Sequence, residues 1–301
     1  MSRPDPFLVA LALLVAEPAW RPAEPFIADP AAMLERFFGE ERDEDREALA
    51  RIEVSFAEER RMGETAVRAY LAELKRQKIR VLARGREVDY LRDLVETIRP
   101  LMDQRQRYRH INVYLAQSSR CDARSFPGGT LVFFRGLLES ADSEAAVVGI
   151  VGHELSHLDR GHHLVRVRRM KLAQQMLSDS AQASSPDQFF NAGAALARIW
   201  MRPFRPEDEA EADRDGARWA YQVGYDPREM GNLFLRLRDR NRLQGLPIPS
   251  FLQTHPAPED RNAEIVKLYG ELQHAEPSAK LYIGKENLRR RVARVRRRLE
   301  R

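Results

Sequence analysis

His153-Glu154-Leu155-Ser156-His157 sits at the end of a run that carries Ala145, Ala146, Val147, Val148, Ile150, Val151, Leu155 and Leu158. A stretch that is apolar nearly all round reads as a buried helix, a firm place from which to hold a ligand. Positions four apart on a helix share a face, about 6 Å apart along the axis. Two imidazoles at that spacing can meet one tetrahedral metal ion, and the intervening Glu154 can reach a water on it. The plainer alternative is a helix with two incidental histidines and a solvated glutamate. Asp142 or Ser140 is placed to cap this helix, and Glu144 suits its first turn.

A hydrolytic zinc site takes three protein ligands and keeps one position open. His153 and His157 supply two, and two candidates compete for the third. His163 follows His157 by six residues, the offset of the third histidine in H-E-x-x-H-x-x-G-x-x-H. That pattern needs glycine three residues after the second histidine, where this chain has Arg160, with Gly161 one residue late. The other candidate is Glu209, in an acidic stretch with six carboxylates between Glu207 and Asp215. Glu209 and Asp213 are four apart on a helical pattern. One carboxylate could bind metal while the other accepts the spare N–H of a ligand histidine. A solvated acidic helix face is the ordinary reading of such a stretch, and the upstream H-E-x-x-H is what argues against it.

The flanking sequence has the composition of a globular protein. Of 301 residues, 43% are hydrophobic and 32% charged, enough for a sizeable core. The single cysteine, Cys121, excludes a disulfide framework and a cysteine-ligated zinc. The net charge of +5 belongs to the end of the chain, because Lys285–Arg301 holds nine basic and two acidic residues. The rest is nearly neutral, so no nucleic-acid partner is expected. Phe7–Ala16 is an apolar run too short to span a bilayer and resembles the hydrophobic part of a signal peptide, although Asp5 is unusual there. A proline-rich linker, Pro18–Pro30, follows. Helical periodicity then runs through Ala31–Lys78 and Val88–Met102. Ile111, Val113 and Leu115 alternate with Asn112, Tyr114 and Ala116 as in a half-buried strand, and Thr130–Phe134 after Pro127-Gly128-Gly129 reads as a second. Pro206 suits the first turn of the acidic helix, which stops near Gly224.

Four blocks, in order, resemble the HtpX-like and CAAX-prenyl-endopeptidase family of gluzincin metalloproteases, in particular its soluble members of the bacterial envelope. They are Asp122-Ala123 through Pro127-Gly128-Gly129 to Gly136-Leu137-Leu138; Gly152–His157 followed by His162; Glu209–Asp213 followed by Gly224-Tyr225-Asp226-Pro227; and Thr254-His255-Pro256-Ala257-Pro258 with Arg261. The resemblance runs from about Glu58 to Leu268. It departs at Asp122, where the family usually has asparagine, and at Phe204-Arg205-Pro206 before the acidic helix.

The resemblance implies a mostly helical α+β, zincin-like fold with a small sheet beside the H-E-x-x-H helix. It implies one Zn2+ held by His153, His157 and Glu209, with Asp213 orienting a ligand histidine and Glu154 as the general base of an endopeptidase. His255 is expected near the reaction centre, and Thr130, Leu131, Val132 and Arg261 are expected at the substrate. Strand Thr130–Phe134 could pair with an extended substrate, or equally be a purely internal strand. His162 and His110 are read as structural.

The expected division is an N-terminal segment and linker over 1–30, a protease domain over 31–275 and a basic amphipathic helix over 276–301. That last helix carries an apolar stripe of Leu288, Val292, Val295 and Leu299, suited to an anionic membrane surface or a partner helix, or equally to packing on the body of the protein. The expected location is the periplasm or cell envelope, with the cytoplasm as the alternative. Rival readings are a catalytically silent scaffold and a membrane-surface adaptor working through the basic tail.

Overall fold

Residues 49–178, 200, 202–244, 249, 252, 257–277 and 280–294 are described by a computed structural model. Helix α1 (Phe56–Arg76) starts at a reciprocal cap in which Ser55 accepts from the Glu58 amide and Glu58 accepts from the Ser55 amide. A short strand, β1 (Val81–Leu82), leads to α2 (Arg86–Ile98). Val88, Leu91, Leu94, Val95 and Ile98 form the buried face of α2. The helix stops near Pro100, as a proline there implies, and Arg99–Leu101 form a 3-10 turn.

Three further strands follow, β2 (Asn112–Ala116), β3 (Ala123–Phe126) and β4 (Thr130–Phe134). They complete a four-stranded sheet of order β1-β2-β4-β3. β4 runs parallel to β2 and antiparallel to β3, so both of its sides are already paired. Every residue of β4 is buried. With both edges taken, β4 is the internal strand of the two alternatives, and Thr130, Leu131 and Val132 offer no open edge to an extended substrate. The sequence pattern marks a strand but does not say which neighbours it has. The terminal strand beside the H-E-x-x-H helix is β3.

The β3–β4 turn at Pro127-Gly128-Gly129 is fixed from α1. A Cβ on Gly63 would lie 1.8 Å from the Pro127 carbonyl oxygen, so only glycine lets helix and turn meet. The fully buried Glu59 accepts from the Gly128 amide at 2.8 Å and from the Tyr108 hydroxyl at 2.7 Å, with Arg107 balancing its charge.

After α3 (Arg135–Ser140) comes α4 (Glu144–Asp159), capped by Ser143, whose hydroxyl accepts from the Ala146 amide. The cap is thus one residue later than Asp142, at a serine in extended conformation. α4 is buried along its whole length, as its sequence implies. Gly161, at φ 73°, ends the turn that leads to α5 (His162–Ser178). The acidic helix α6 (Pro206–Gln222) has Pro206 in its first turn and is followed by α7 (Arg228–Gln244) and α8 (Pro258–Ala275).

α4 and α6 cross at glycines. A Cβ on Gly216 would stand 2.7 Å from the Gly149 carbonyl oxygen and 2.8 Å from the His153 nitrogen, and one on Gly152 would stand 2.8 Å from the Gly216 Cα. Glu209, Asp213 and Gly216 share a face of α6, being four and three residues apart. The glycine contact therefore brings both carboxylates over His153.

The basic C-terminal region differs from the expected long helix. Its helix, α9 (Lys285–Arg290), ends at Arg291, which takes a left-handed conformation with φ 51°. The segment belongs to the body. Ile283 and Gly284 carbonyls accept from the first amides of α4, and the Arg294 amide donates to the buried Glu144. Val295 and Leu299 of the apolar stripe, like the N-terminal apolar run, lie outside the described residues. No helix among the described residues is long and apolar enough to cross a membrane. The chain is a predominantly helical α+β fold with a small mixed sheet.

Gly216→Ala is expected to push α6 off α4, lowering stability by about 1–3 kcal/mol and weakening divalent-metal binding in parallel. Urea denaturation and zinc titration check both effects.

Candidate metal centre

His153 and His157 project from one face of α4, with their Nε2 atoms 3.2 Å apart. Glu209 reaches in from α6, its Oε2 3.3 Å from His153 Nε2 and its Oε1 3.7 Å from His157 Nε2. A tetrahedral ion with ligand bonds of about 2.0–2.1 Å has ligand–ligand edges of about 3.3–3.4 Å. The observed spacings match that figure to within a few tenths of an ångström. Among the described residues, these three form the one group of histidine, cysteine and acidic side chains with metal-holding geometry.

The hydrogen bonds behind the ligands set their tautomers. His153 Nδ1 lies 2.9 Å from Asp213 Oδ1, so Nδ1 carries an N–H and Nε2 is the ring atom turned toward Glu209 and His157. His157 Nδ1 lies 2.8 Å from His162 Nδ1, and His162 Nε2 lies 3.1 Å from Glu211 Oε2. The consistent assignment has His157 donating to His162 and His162 donating to Glu211. Both Nε2 lone pairs then face the same point, and Glu209 Oε2 is a buried acceptor with no hydrogen-bond partner. Lone pairs converging on an unsatisfied buried carboxylate oxygen fit a cation.

Charge in the site is arranged to match. Burial pulls the His153 imidazole down, but the Asp213 and Glu209 carboxylates outweigh it and lift it to about 10 in the metal-free protein. Burial and the charge of His153 hold His157 well below the usual histidine range. Burial also pushes Asp213 up, yet Arg261 and His153 more than reverse this and keep it below the usual carboxylate range. Glu154 is raised to about 7, chiefly by burial and against the pull of His153 and the Ser125 hydroxyl. Such a carboxyl is poised to take up and release a proton near neutral pH.

The structure distributes the remaining residues differently from the sequence. His163 takes no place in the cluster, since its Nε2 is engaged 3.1 Å from the Ser125 hydroxyl. Arg261, expected at the substrate, is instead buried behind the metal ligands. Its Nε and Nη2 donate to Asp213 at 2.5 and 2.7 Å, and Nη2 stands 3.6 Å from Glu209 Oε2. A guanidinium sunk between two carboxylates serves their charge balance. His255 lies outside the described residues.

His162 is the residue that spacing arguments pass over, because it reaches His157 only through the turn at Gly161. Phe204 is another, its ring stacked on His157 with centroids 4.0 Å apart. Ala123, Arg124 and Ser125 of β3 line the cleft beside Glu154.

A buried H-E-x-x-H helix crossed by a helix that offers a carboxylate defines a metallopeptidase-type centre. The sequence profile of peptidase family M48 matches residues 89–268, and the chain belongs to that family. It is 29% identical over 158 residues to a beta-barrel assembly-enhancing protease of Yersinia pestis, covering 49% of this chain and 32% of that protein. Against the Escherichia coli K12 protein of the same name it is 28% identical over 160 residues, 50% of this chain and 33% of the other. Against the mitochondrial metalloendopeptidase OMA1 of Arabidopsis thaliana it is 29% identical over 141 residues, covering 47% and 28%. The matches thus span about a third of the length of these relatives.

Asp213→Asn is expected to weaken zinc binding about 10–100-fold, and His162→Phe to weaken it in the same sense while keeping the ring volume. Competition titration against a chelator of known affinity measures both.

Proposed function

We propose that this chain is a zinc-dependent endopeptidase of the gluzincin type. The observation that carries the reading is the convergence of His153, His157 and Glu209 beside a Glu154 carboxyl that titrates near neutrality. The resemblance of the sequence blocks to HtpX-like and CAAX-prenyl endopeptidases supports the same ligand assignment. When bound there, zinc supplies a Lewis acid that brings the pKa of a water from about 15.7 toward 7.

The chain's own residues do the rest. Glu154 Oε takes a proton from the attacking water and later delivers it to the leaving amine, so that the amine departs neutral. Asp213 and His162 hold the two imidazoles in orientation, and Arg261 offsets the negative charge of Asp213 and Glu209. Extended substrate backbone runs along β3, the strand that lines the cleft next to Glu154. Burial of the site keeps bulk water from screening these charges.

The substrates are proteins, and the setting is the bacterial envelope, where the name of the beta-barrel assembly-enhancing relatives points to protein quality control. The N-terminal apolar run is in keeping with that location.

Wild-type protein and Glu154→Gln, each loaded with zinc, are compared by elemental analysis and casein hydrolysis. Both are expected to hold one zinc per chain, with hydrolysis lower by about 10²–10⁴-fold in the variant. Hydrolysis at the wild-type rate by Glu154→Gln overturns the assignment. The base must be ionised to accept a proton, and a bound dication favours the carboxylate. The wild-type rate is therefore expected to rise with pH along an acid limb centred at or below about 7.

A further inference from the structure

His163 is a buried imidazole to which the mechanism above gives no part, yet it lines the same cleft as Glu154. The turn at Gly161 brings it, at the start of α5, back toward β3, where its Nε2 lies 3.1 Å from Ser125 Oγ. Phe204 holds the ring edge-on, with centroids 4.9 Å apart, and Trp200 flanks it at 6.4 Å. Ser125 is also buried, and its hydroxyl is hydrogen-bonded to the Glu154 carboxyl. β3, α4 and α5 thus contribute one member each to a chain that runs from His163 through Ser125 to Glu154.

The hydrogens available set the direction of the two bonds. A hydroxyl has one hydrogen to give and lone pairs with which to accept. An ionised carboxylate, the form in which Glu154 acts as a base, only accepts. Ser125 therefore gives its hydrogen to Glu154 and receives one from His163 Nε2. The other ring nitrogen agrees with this. His163 Nδ1 is buried without a hydrogen-bond partner, and an unsatisfied acceptor is better tolerated there than an orphaned N–H. Burial and the positive charge of Arg166 keep the ring neutral, so its one N–H is on Nε2. Were Nε2 to accept instead, the Ser125 hydrogen would turn away from Glu154.

We infer that His163 and Ser125 are positioning residues for the general base. The imidazole fixes the hydroxyl, and the hydroxyl holds one oxygen of Glu154, leaving the other to take the proton of the attacking water. The inference rests on the peptidase reading and adds two residues to it. A misplacement of about 1 Å costs about 10²-fold in rate, so the loss of either bond is large enough to measure.

Two readouts test it. In the first, zinc-loaded wild type, Ser125→Ala, His163→Phe and the double variant are compared by zinc content and by kcat and KM on fluorescein-labelled casein. All are expected to hold one zinc per chain, with KM unchanged. The kcat is expected to fall about 10–100-fold in Ser125→Ala and in His163→Phe. The double variant is expected to be no slower than Ser125→Ala, because His163 acts only through the hydroxyl. Ser125→Thr, which keeps a hydroxyl, and His163→Gln, which keeps a donor, are expected to recover most of the rate. The second readout needs no activity. Nitrogen-15 spectra of the histidine side chains in zinc-loaded wild type, with His163 assigned by its absence from His163→Phe, are expected to show its hydrogen on Nε2.

A wild-type kcat in Ser125→Ala or His163→Phe overturns the inference, and so do losses that add in the double variant or that fall on KM or zinc content alone. A His163 hydrogen on Nδ1 overturns it as well. A zinc-loaded wild type that cuts no protein overturns the peptidase reading instead, and the nitrogen spectra still decide whether His163 donates to Ser125.

Discussion

The close crossing of α4 and α6 at Gly149, Gly152 and Gly216 is the constraint on which the rest of the site depends. Two helices bearing larger residues at their contact keep their axes about 8–10 Å apart. Gly152 and Gly216 let the backbones themselves touch, which shortens the reach required of every side chain that bridges them, while the bare face of Gly149 admits Met230 of α7. His153, Glu209 and Asp213 are short enough to meet only because of that approach. Lower on the same pair of helices, Ser156 and Arg160 of α4 bond to Asp215 of α6, at 2.9 and 2.6 Å, which locks the angle between them. The carboxylate positions are therefore set by backbone packing, and the hydrogen bonds refine them.

Removing these groups from water is expensive, and the arrangement shows how the expense is met. His153, Glu154, His157, Glu209, Asp213 and Arg261 are all buried. An isolated buried charge is strongly unfavourable, but alternating signs with filled hydrogen bonds offset much of the penalty. Arg261 neutralises Asp213, Asp213 favours one tautomer of His153, and His162 with Glu211 does the same for His157. What stays without a hydrogen-bond partner among these groups is the Glu209 Oε2 atom, which faces the two Nε2 atoms. The protein matrix thus carries a localised deficit of positive charge at one point, and this makes the centre selective for a cation without any flexible arm.

Much of this was legible in the residues because it depends on local periodicity. The i, i+4 spacing of His153 and His157 and that of Glu209 and Asp213 follow from helix geometry alone, and the all-round apolar character of α4 foretold its burial. The small sheet was legible as strands but not as an order. Nothing in Thr130–Phe134 itself says that β2 and β3 flank it, since that is decided by how the chain crosses over between Ala116 and Ala123. Arg261 was legible as a site-region residue and misread in role, because its partner, Asp213, is 48 residues away. The stacking of Phe204 and the support from His162 arise where separate segments converge around His157. Spacing along one helix carries no trace of such meetings. The basic tail packs on the body, one of its expected alternatives, but its helix is shorter than the pattern suggests, being interrupted at Arg291 so that the Arg294 amide can turn in to Glu144.

That last contact bears on how the centre comes into being. The first turn of α4, which carries the H-E-x-x-H residues farther along, has amides satisfied by Ile283 and Gly284 and a buried carboxyl satisfied by Arg294 and Tyr225. Partners separated by 81 residues for Tyr225 and by 150 for Arg294 make long loops that must close before the helix is fully bonded at its start. During synthesis, α4 emerges long before these partners and waits with its N-terminus incomplete. The helix that carries His153 and His157 is therefore fully bonded at its start only when the chain as far as about residue 294 is in place.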